Sequence, residues 1–312
     1  MPINVFFAAG AESWPDYQVP LSNAFSEAGL DATLSDSAPD PASVDYLIFS
    51  PTRGTFDFSP YRNCKAVLSL WAGVERIVTN PTLTQPLCRM VDRELTEGMV
   101  EYVVGHVLRH HLGMDTHIRG QDGVWRHAAL PPIARQRRVV ILGMGALGSA
   151  AGQALAALNF PVTGWSRTQK TIPGITCLWG EDGLRAALGR ADILVTLLPS
   201  TPETESLLNG ARLGLMPRGS VIINPGRGPL IDDDALLAAL DSGQIGHATL
   251  DVFRIEPLPP EHPYWGHPNV TVTPHIAADT RAGSAAKVVA ENIRRSEAGE
   301  PLLYLVDRAR GY

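Results

Sequence analysis

Six residues, Gly143-Met144-Gly145-Ala146-Leu147-Gly148, limit what this chain can fold into more than any others. They follow the apolar run Val139 to Leu142 and open a helical pattern, Ala146 to Leu158. In that setting the first glycine permits a tight turn. The second lets the backbone approach a pyrophosphate, and the third lets helix and strand pack closely. The start of the helix then offers free N–H groups and positive partial charge to the phosphates. The motif therefore predicts a dinucleotide cradle formed by Gly143, Met144, Gly145, Ala146, Leu147 and Gly148. No charged residue occurs from Val139 to Ser166, a length that would span a bilayer. Gly143, Gly145, Gly148 and Gly152 in that stretch, with Ser149, Gln153 and Asn159, fit a strand, a turn and a buried helix better than a membrane span.

The ribose contact is the next constraint. Folds that prefer NAD place an acid roughly 20 residues beyond the glycines, where it accepts from the 2′-hydroxyl. Here no acid lies between Gly148 and Glu181, and the second strand ends in Trp165-Ser166-Arg167-Thr168, with Lys170 close behind. A guanidinium suits a 2′-phosphate. Ser166 and Arg167 thus point to NADPH in preference to NADH; the alternative is a surface loop that happens to be basic.

Short apolar runs alternate with helical patterns along most of the chain, which signals parallel α/β architecture. Strands are expected near 3–9, 45–50, 66–70, 138–142, 161–166, 192–198, 220–224, 248–251 and 270–273. Helices are expected near 21–30, 97–112, 146–158, 232–240 and 280–297. The last helix follows the nucleotide-binding series and is placed to return to the first domain. At 312 residues, the chain has room for about two domains. Its 45% hydrophobic content and net charge of −6 exclude general disorder and argue against nucleic acid as a partner. The N-terminus has no cationic region before its short apolar run, so a secretory signal is not expected. Cys64, Cys88 and Cys177 lie far apart and form no C-x-x-C, which points to reduced thiols in the cytoplasm and to no cysteine metal site.

Three further blocks carry polar residues to the ends of expected strands, where open α/β sheets bind ligands. These are Asn224-Pro225-Gly226-Arg227-Gly228, then Leu250-Asp251-Val252-Phe253-Arg254-Ile255-Glu256-Pro257, then Val272-Thr273-Pro274-His275. In this order behind the glycine motif, they resemble the D-isomer-specific 2-hydroxyacid dehydrogenase family, in particular its glyoxylate/hydroxypyruvate reductase A branch. The likeness runs from the Ala72-Gly73-Val74 turn to the closing Val306–Tyr312 segment. It implies a Rossmann-type doubly wound nucleotide domain over residues 97–281. It also implies a smaller flavodoxin-like substrate domain built from residues 1–96 and 282–312, and a homodimer.

The family's catalytic triad carries over to Arg227, Glu256 and His275. Arg227 would pair with the carboxylate and carbonyl of a small 2-keto acid in a fork that lysine does not reproduce. His275 would protonate the carbonyl oxygen, and Glu256 would favour its imidazolium and fix its ring. The resemblance also assigns Leu198, Pro199 and Thr204 to the cofactor wall, and Asp251 to the nicotinamide amide, although a turn or helix-cap role suits Asp251 as well. It assigns Trp71, Ala72, Gly73 and Val74 to the turn that receives the substrate carboxylate. Trp71 stands where many relatives have a small residue, so its indole either narrows the site or packs in the core. Gly123-Val124-Trp125 resembles the family's dimer arm; the alternative is a buried anchor. Pro225-Gly226 departs from the usual pair before the arginine, which bears on loop stiffness and not on chemistry. His106 and His110 share a helix face without a third metal ligand in the pattern, and His262 and His267 sit in a proline-rich loop.

Three functions fit these residues. The first is NADPH-dependent reduction of glyoxylate and hydroxypyruvate. The second is a broader 2-keto acid or phosphoglycerate dehydrogenase, the latter disfavoured because no regulatory domain is expected after Tyr312. The third is a non-enzymatic NAD(P)H-sensing protein on the same fold.

Overall fold

The computed structural model describes all residues except Met1, Pro39, 52–55, 126–129, 309, 310 and 312. Part of the closing segment that carries the resemblance, Ala309, Arg310 and Tyr312, therefore lies outside the described residues. The chain divides into two compact units, Met1–Leu95 with Asp279–Tyr312, and Thr96–Ala278.

The first unit contains β1 (Ile3–Ala8), α1 (Trp14–Glu27), β2 (Ala32–Ser35), β3 (Tyr46–Phe49), β4 (Ala66–Ser69), α2 (Glu75–Val78) and β5 (Leu87–Cys88). Its sheet runs β2-β1-β3-β4-β5 with every pairing parallel, the flavodoxin-like order. Tyr46, Leu47, Ile48 and Phe49 are all buried, as a strand covered on both faces requires.

The second unit contains most of α3 (Arg93–His111), then α4 (Met114–Arg119), β6 (Val139–Leu142), α5 (Ala146–Ala157), β7 (Val162–Ser166), β8 (Thr176–Trp179) and α6 (Gly180–Leu188). It continues through β9 (Ile193–Thr196), α7 (Gly210–Leu213), β10 (Ser220–Asn224), α8 (Asp233–Asp241), β11 (Ile245–Leu250) and β12 (Val270–Val272). The sheet order is β12-β11-β10-β9-β6-β7-β8, again parallel throughout. This is the Rossmann arrangement with one added strand, and its order reverses between β6 and β9. One apolar cluster, with Ile141, Leu155, Val195 and Ile223, includes Met99, Val103 and Val107 of α3. A second includes α6 and α8 through Leu184, Leu188, Leu236 and Leu240. The sheet is thus covered on both faces.

The final helix, α9 (Ala282–Glu297), belongs to the first unit, and Ala286, Val289 and Ile293 join Leu21 and Phe25 of α1 in its core. Several elements differ from expectation, the short α2, β5, α4 and α7 among them. α1 begins at Trp14, not near Leu21, because Pro15 suits a first turn and Pro20 is tolerated on the outer side. The edge strand β8 and helix α6 are absent from the expected elements: β8 is only half-buried, so its sequence lacks a clear apolar run. The short edge strand β2 is missed for the same reason.

Candidate active site

Every candidate residue of the second unit lies at or just beyond the C-terminal end of a strand. Gly143 follows β6 with φ of 104°, in the region that favours glycine. A Cβ there would meet the Leu197 carbonyl oxygen at 2.4 Å, so the β6 and β9 loops close on each other at the switch point. A Cβ at Gly148 would lie 1.9 Å from the Gly143 oxygen, which holds α5 tight against the turn. At Gly145, the N-cap of α5, a Cβ would meet nothing within 4 Å. Closed geometry at the first and third glycines, with open space at the second, fits a dinucleotide pyrophosphate.

Met144 and Leu147 turn inward from this loop. The Met144 side chain is buried against Gly164 of β7, where a Cβ would meet its sulfur at 2.5 Å, so Met144 meets a ligand only through its backbone. Lys170 Nζ donates to the Met144 carbonyl at 2.7 Å, which brings a cation to the cradle. Ser166 is buried and its hydroxyl donates to the Thr168 carbonyl at 2.8 Å, while Arg167 is exposed. The Thr204 hydroxyl donates to the Pro199 carbonyl at 2.7 Å and accepts from the Thr201 N–H at 2.8 Å. Thr204 thereby closes the loop that carries Leu198 and Pro199.

Beyond β10, the side chain of Asn224 shapes the turn that presents Arg227. It accepts from Thr196 Oγ1 at 2.6 Å and from the Gly226 N–H at 3.1 Å, and donates to the Arg227 carbonyl at 3.0 Å. Gly226 lets this turn approach β9, since a Cβ there would meet the Thr196 oxygen at 2.7 Å.

His275 and Glu256 meet directly. His275 Nδ1 lies 2.9 Å from Glu256 Oε2, and a carboxylate only accepts, so Nδ1 carries the proton. The second oxygen, Glu256 Oε1, accepts from the Phe253 N–H at 2.9 Å. The hydrogen bond His275 donates to Glu256 raises the pKa of His275 against the effect of burial; the Glu256 and Asp251 charges add to the rise, and Arg227 opposes it. Arg227 is thus within electrostatic reach of the pair.

Asp251 is fully buried and its carboxylate serves the loop after β12. It accepts from Thr273 Oγ1 at 2.6 Å, from the Ile276 N–H at 2.9 Å and from the Ala277 N–H at 2.9 Å. Of the two roles open to Asp251, the turn role is the one these contacts carry out. His275 itself has φ of 56°, a strained conformation for a residue with a side chain. Its N–H is held by the carbonyls of Asp251 and Thr273 at 2.8 and 3.0 Å. Asn224, Thr196, Thr273 and Tyr102 are not legible as site residues in the sequence, because each acts on a loop through hydrogen bonds to a residue far away along the chain.

In the first unit, the turn after β4 is held by Trp71 N–H donating to Ser69 Oγ at 3.1 Å and by Thr280 Oγ1 donating to the Leu70 carbonyl at 2.8 Å. The N–H groups of Ala72, Gly73 and Val74 donate to no acceptor among the described residues. The Trp71 side chain is 41% exposed, which corrects the core alternative for its indole. Trp125 is 95% exposed, so it is no buried anchor. His110 Nε2 bonds Thr249 Oγ1 at 2.9 Å and its ring lies 4.9 Å from that of His247. Among the described residues, no group of three potential ligands forms a metal site, and no helix is long and apolar enough to cross a membrane.

The family model described as D-isomer specific 2-hydroxyacid dehydrogenase, NAD binding domain, matches residues 103–277. The chain belongs to this family. The dehydrogenase is similar to the D-isomer specific 2-hydroxyacid dehydrogenase of Xanthobacter autotrophicus, solved with NADPH and MES. That match has 40% identity and a TM-score of 0.92, and covers 100% of both chains. It is similar also to an NADPH-dependent glyoxylate/hydroxypyruvate reductase from Sinorhizobium meliloti, solved with NADP and sulfate. Identity there is 37%, with a TM-score of 0.88 over 100% of this chain and 99% of the other. A probable 2-hydroxyacid dehydrogenase from Rhizobium etli, solved with NADP, HEPES and L(+)-tartaric acid, matches at 32% identity. Its TM-score is 0.86 over 100% of this chain and 99% of the other. The enzyme is therefore an oxidoreductase of the NAD(P)-dependent D-2-hydroxyacid dehydrogenases.

Proposed function

We propose that this dehydrogenase reduces glyoxylate and hydroxypyruvate to glycolate and D-glycerate, with NADPH preferred over NADH. The observation that carries the reading is the His275–Glu256 pair at 2.9 Å, which holds one imidazole nitrogen and leaves Nε2 for a substrate oxygen. Bound NADPH would supply the hydride that adds to the carbonyl carbon. The residues of this chain do the rest. Gly143, Gly145 and the start of α5 would hold the pyrophosphate, and Ser166, Arg167 and Lys170 would hold the 2′-phosphate. Arg227 pairs with the 2-keto acid and polarises its carbonyl. His275 then gives the proton from Nε2 as negative charge grows on oxygen, and Glu256 stabilises the imidazolium before that transfer. The unpaired amides of Ala72, Gly73 and Val74 are suited to a carboxylate.

Relatives solved with NADP, one of them a glyoxylate/hydroxypyruvate reductase, support the cofactor and the substrate class. Exposed Ile118, Val124, Trp125 and Leu130 support a homodimer, which sedimentation would test. Buried, free Cys64 and Cys88 agree with a reducing cytoplasm. The deciding experiment is turnover of a panel of 2-keto acids with NADPH and with NADH. A larger kcat/KM for glyoxylate and hydroxypyruvate with NADPH supports the proposal. A higher kcat/KM for bulkier keto acids would favour a broader dehydrogenase, and no turnover at all would favour a binding protein.

A further inference from the structure

Arg254 lies two residues before Glu256 in the exposed loop after β11. Its guanidinium is nevertheless built into three neighbouring pieces of chain. Nη2 donates to Ser206 Oγ at 2.8 Å, to the Ile231 carbonyl at 2.8 Å and to the Pro229 carbonyl at 3.3 Å. Nη1 reaches Glu205 Oε1 at 3.4 Å, and Nε lies 3.8 Å from Asp233 Oδ2. Pro229 and Ile231 belong to the short turn that begins directly after Arg227. That turn touches the Arg254 loop closely: a Cβ at Gly228 would stand 2.0 Å from the Phe253 carbonyl carbon. On the other side, the Phe253 N–H holds Glu256 Oε1, while Glu256 Oε2 holds His275.

We propose that Arg254 is a positioning residue that locks the Arg227 turn to the Glu256 loop and so sets the spacing of Arg227, Glu256 and His275. It touches none of the reacting groups. From its place on the Glu256 loop, its planar fork reaches acceptors on the Arg227 turn and on Ser206 at once, which a lysine amine cannot do from one position. The inference rests on the acid–base reading given above.

The test compares Arg254→Lys with the parent enzyme, using glyoxylate and NADPH across a pH series. Three charged groups act on His275: Glu256 and Asp251, which favour its imidazolium, and Arg227, which opposes it. Releasing the Glu256 loop weakens the first. The expected result is a fall in kcat between about 10- and 100-fold, the scale of a small misplacement. The alkaline limb of kcat/KM should move to lower pH, while NADPH affinity by fluorescence stays unchanged. A role in stability alone would lower the melting temperature and leave the limb in place. Ser206→Ala removes a single acceptor and should shift the limb the same way by less; it serves if Arg254→Lys does not fold. An unmoved limb and unchanged kcat in a folded variant overturn the proposal. His275→Ala run in parallel separates the two ideas. If it abolishes turnover while Arg254→Lys behaves as parent, only the role of Arg254 falls. If His275→Ala keeps full activity, the acid–base reading falls and this proposal with it.

Discussion

Asp251 accepts the backbone N–H of His275 at 2.8 Å with its carbonyl, and its carboxylate holds the next two amides, of Ile276 and Ala277. One buried residue thus fixes the loop on which the imidazole stands, in a conformation with φ of 56°. Asp251→Asn should therefore harm both stability and rate. An amide group presents a donor where one of these N–H groups needs an acceptor, and leaving a buried polar group unpaired costs about 1–3 kcal/mol. Thermal unfolding and kcat should fall together. Tyr102 acts one step further out. Thr273 gives its proton to Asp251, so the Tyr102 hydroxyl donates to Thr273, at 2.7 Å. Tyr102→Phe should cost less, roughly 0.5–1.5 kcal/mol. An Asp251→Asn enzyme as stable and active as the parent would contradict this account.

Glu256→Gln keeps the shape of the side chain and removes its charge. The hydrogen bond that His275 donates to Glu256 is the largest influence raising the pKa of His275. Reduction needs the imidazolium, so the rate falls as pH rises through that pKa. The variant should lose activity at lower pH than the parent and differ less under acid conditions, where the imidazole is protonated in both. The pH profile of kcat/KM checks this; coinciding alkaline limbs would reopen the assignment of the triad.

Arg167→Ala should raise KM for NADPH strongly and KM for NADH little. A charge-assisted hydrogen bond to phosphate is worth about 1.5–3 kcal/mol, or roughly 10- to 150-fold in affinity. Lys170 remains near the cradle through its bond to the Met144 carbonyl. A residual preference for NADPH is therefore expected, and Arg167→Ala combined with Lys170→Ala should erase it. Equal changes with both cofactors would remove the 2′-phosphate role of Arg167.

The half-buried imidazoles of His110 on α3 and His247 on β11 make the fold sensitive to acid. Burial pushes the pKa of His110 down to about 3 and that of His247 to about 4; His247 and Arg109 add to the effect on His110, and Arg109, Arg119 and His267 to that on His247. In the unfolded chain both titrate near 6.5. As pH falls below that value, protons bind the unfolded state first, so stability present above about 6.5 is lost progressively toward pH 4 and below. Melting temperature should drop across this window. His247→Asn removes one of the two titrating groups and should flatten the drop; an unchanged slope would show that other groups dominate.

Much of this enzyme was legible in its sequence, for reasons that are local. The G-x-G-x-x-G turn, the apolar strand before it and the helix after it are neighbours in the chain, so their geometry is written within some twenty residues. The missing acid and the Ser166-Arg167 pair also lie at a fixed distance along one strand. Parallel strands end their side chains at one edge of the sheet, so Arg227, Asp251 and His275 could be assigned to the ligand-binding edge from their places after apolar runs. What the tertiary structure alone decided is contact between those ends. The bond from His275 to Glu256 joins two loops, and the Asn224–Thr196 contact joins neighbouring strands. Arg254 ties the turn after β10 to the loop after β11. The commitment of Asp251 to the His275 loop, and the exposure of Trp71 and Trp125, likewise depend on what stands opposite each side chain. Distances of 2.6–2.9 Å between residues 19 to 28 positions apart follow from the register of β9, β10, β11 and β12, which no single strand specifies by itself.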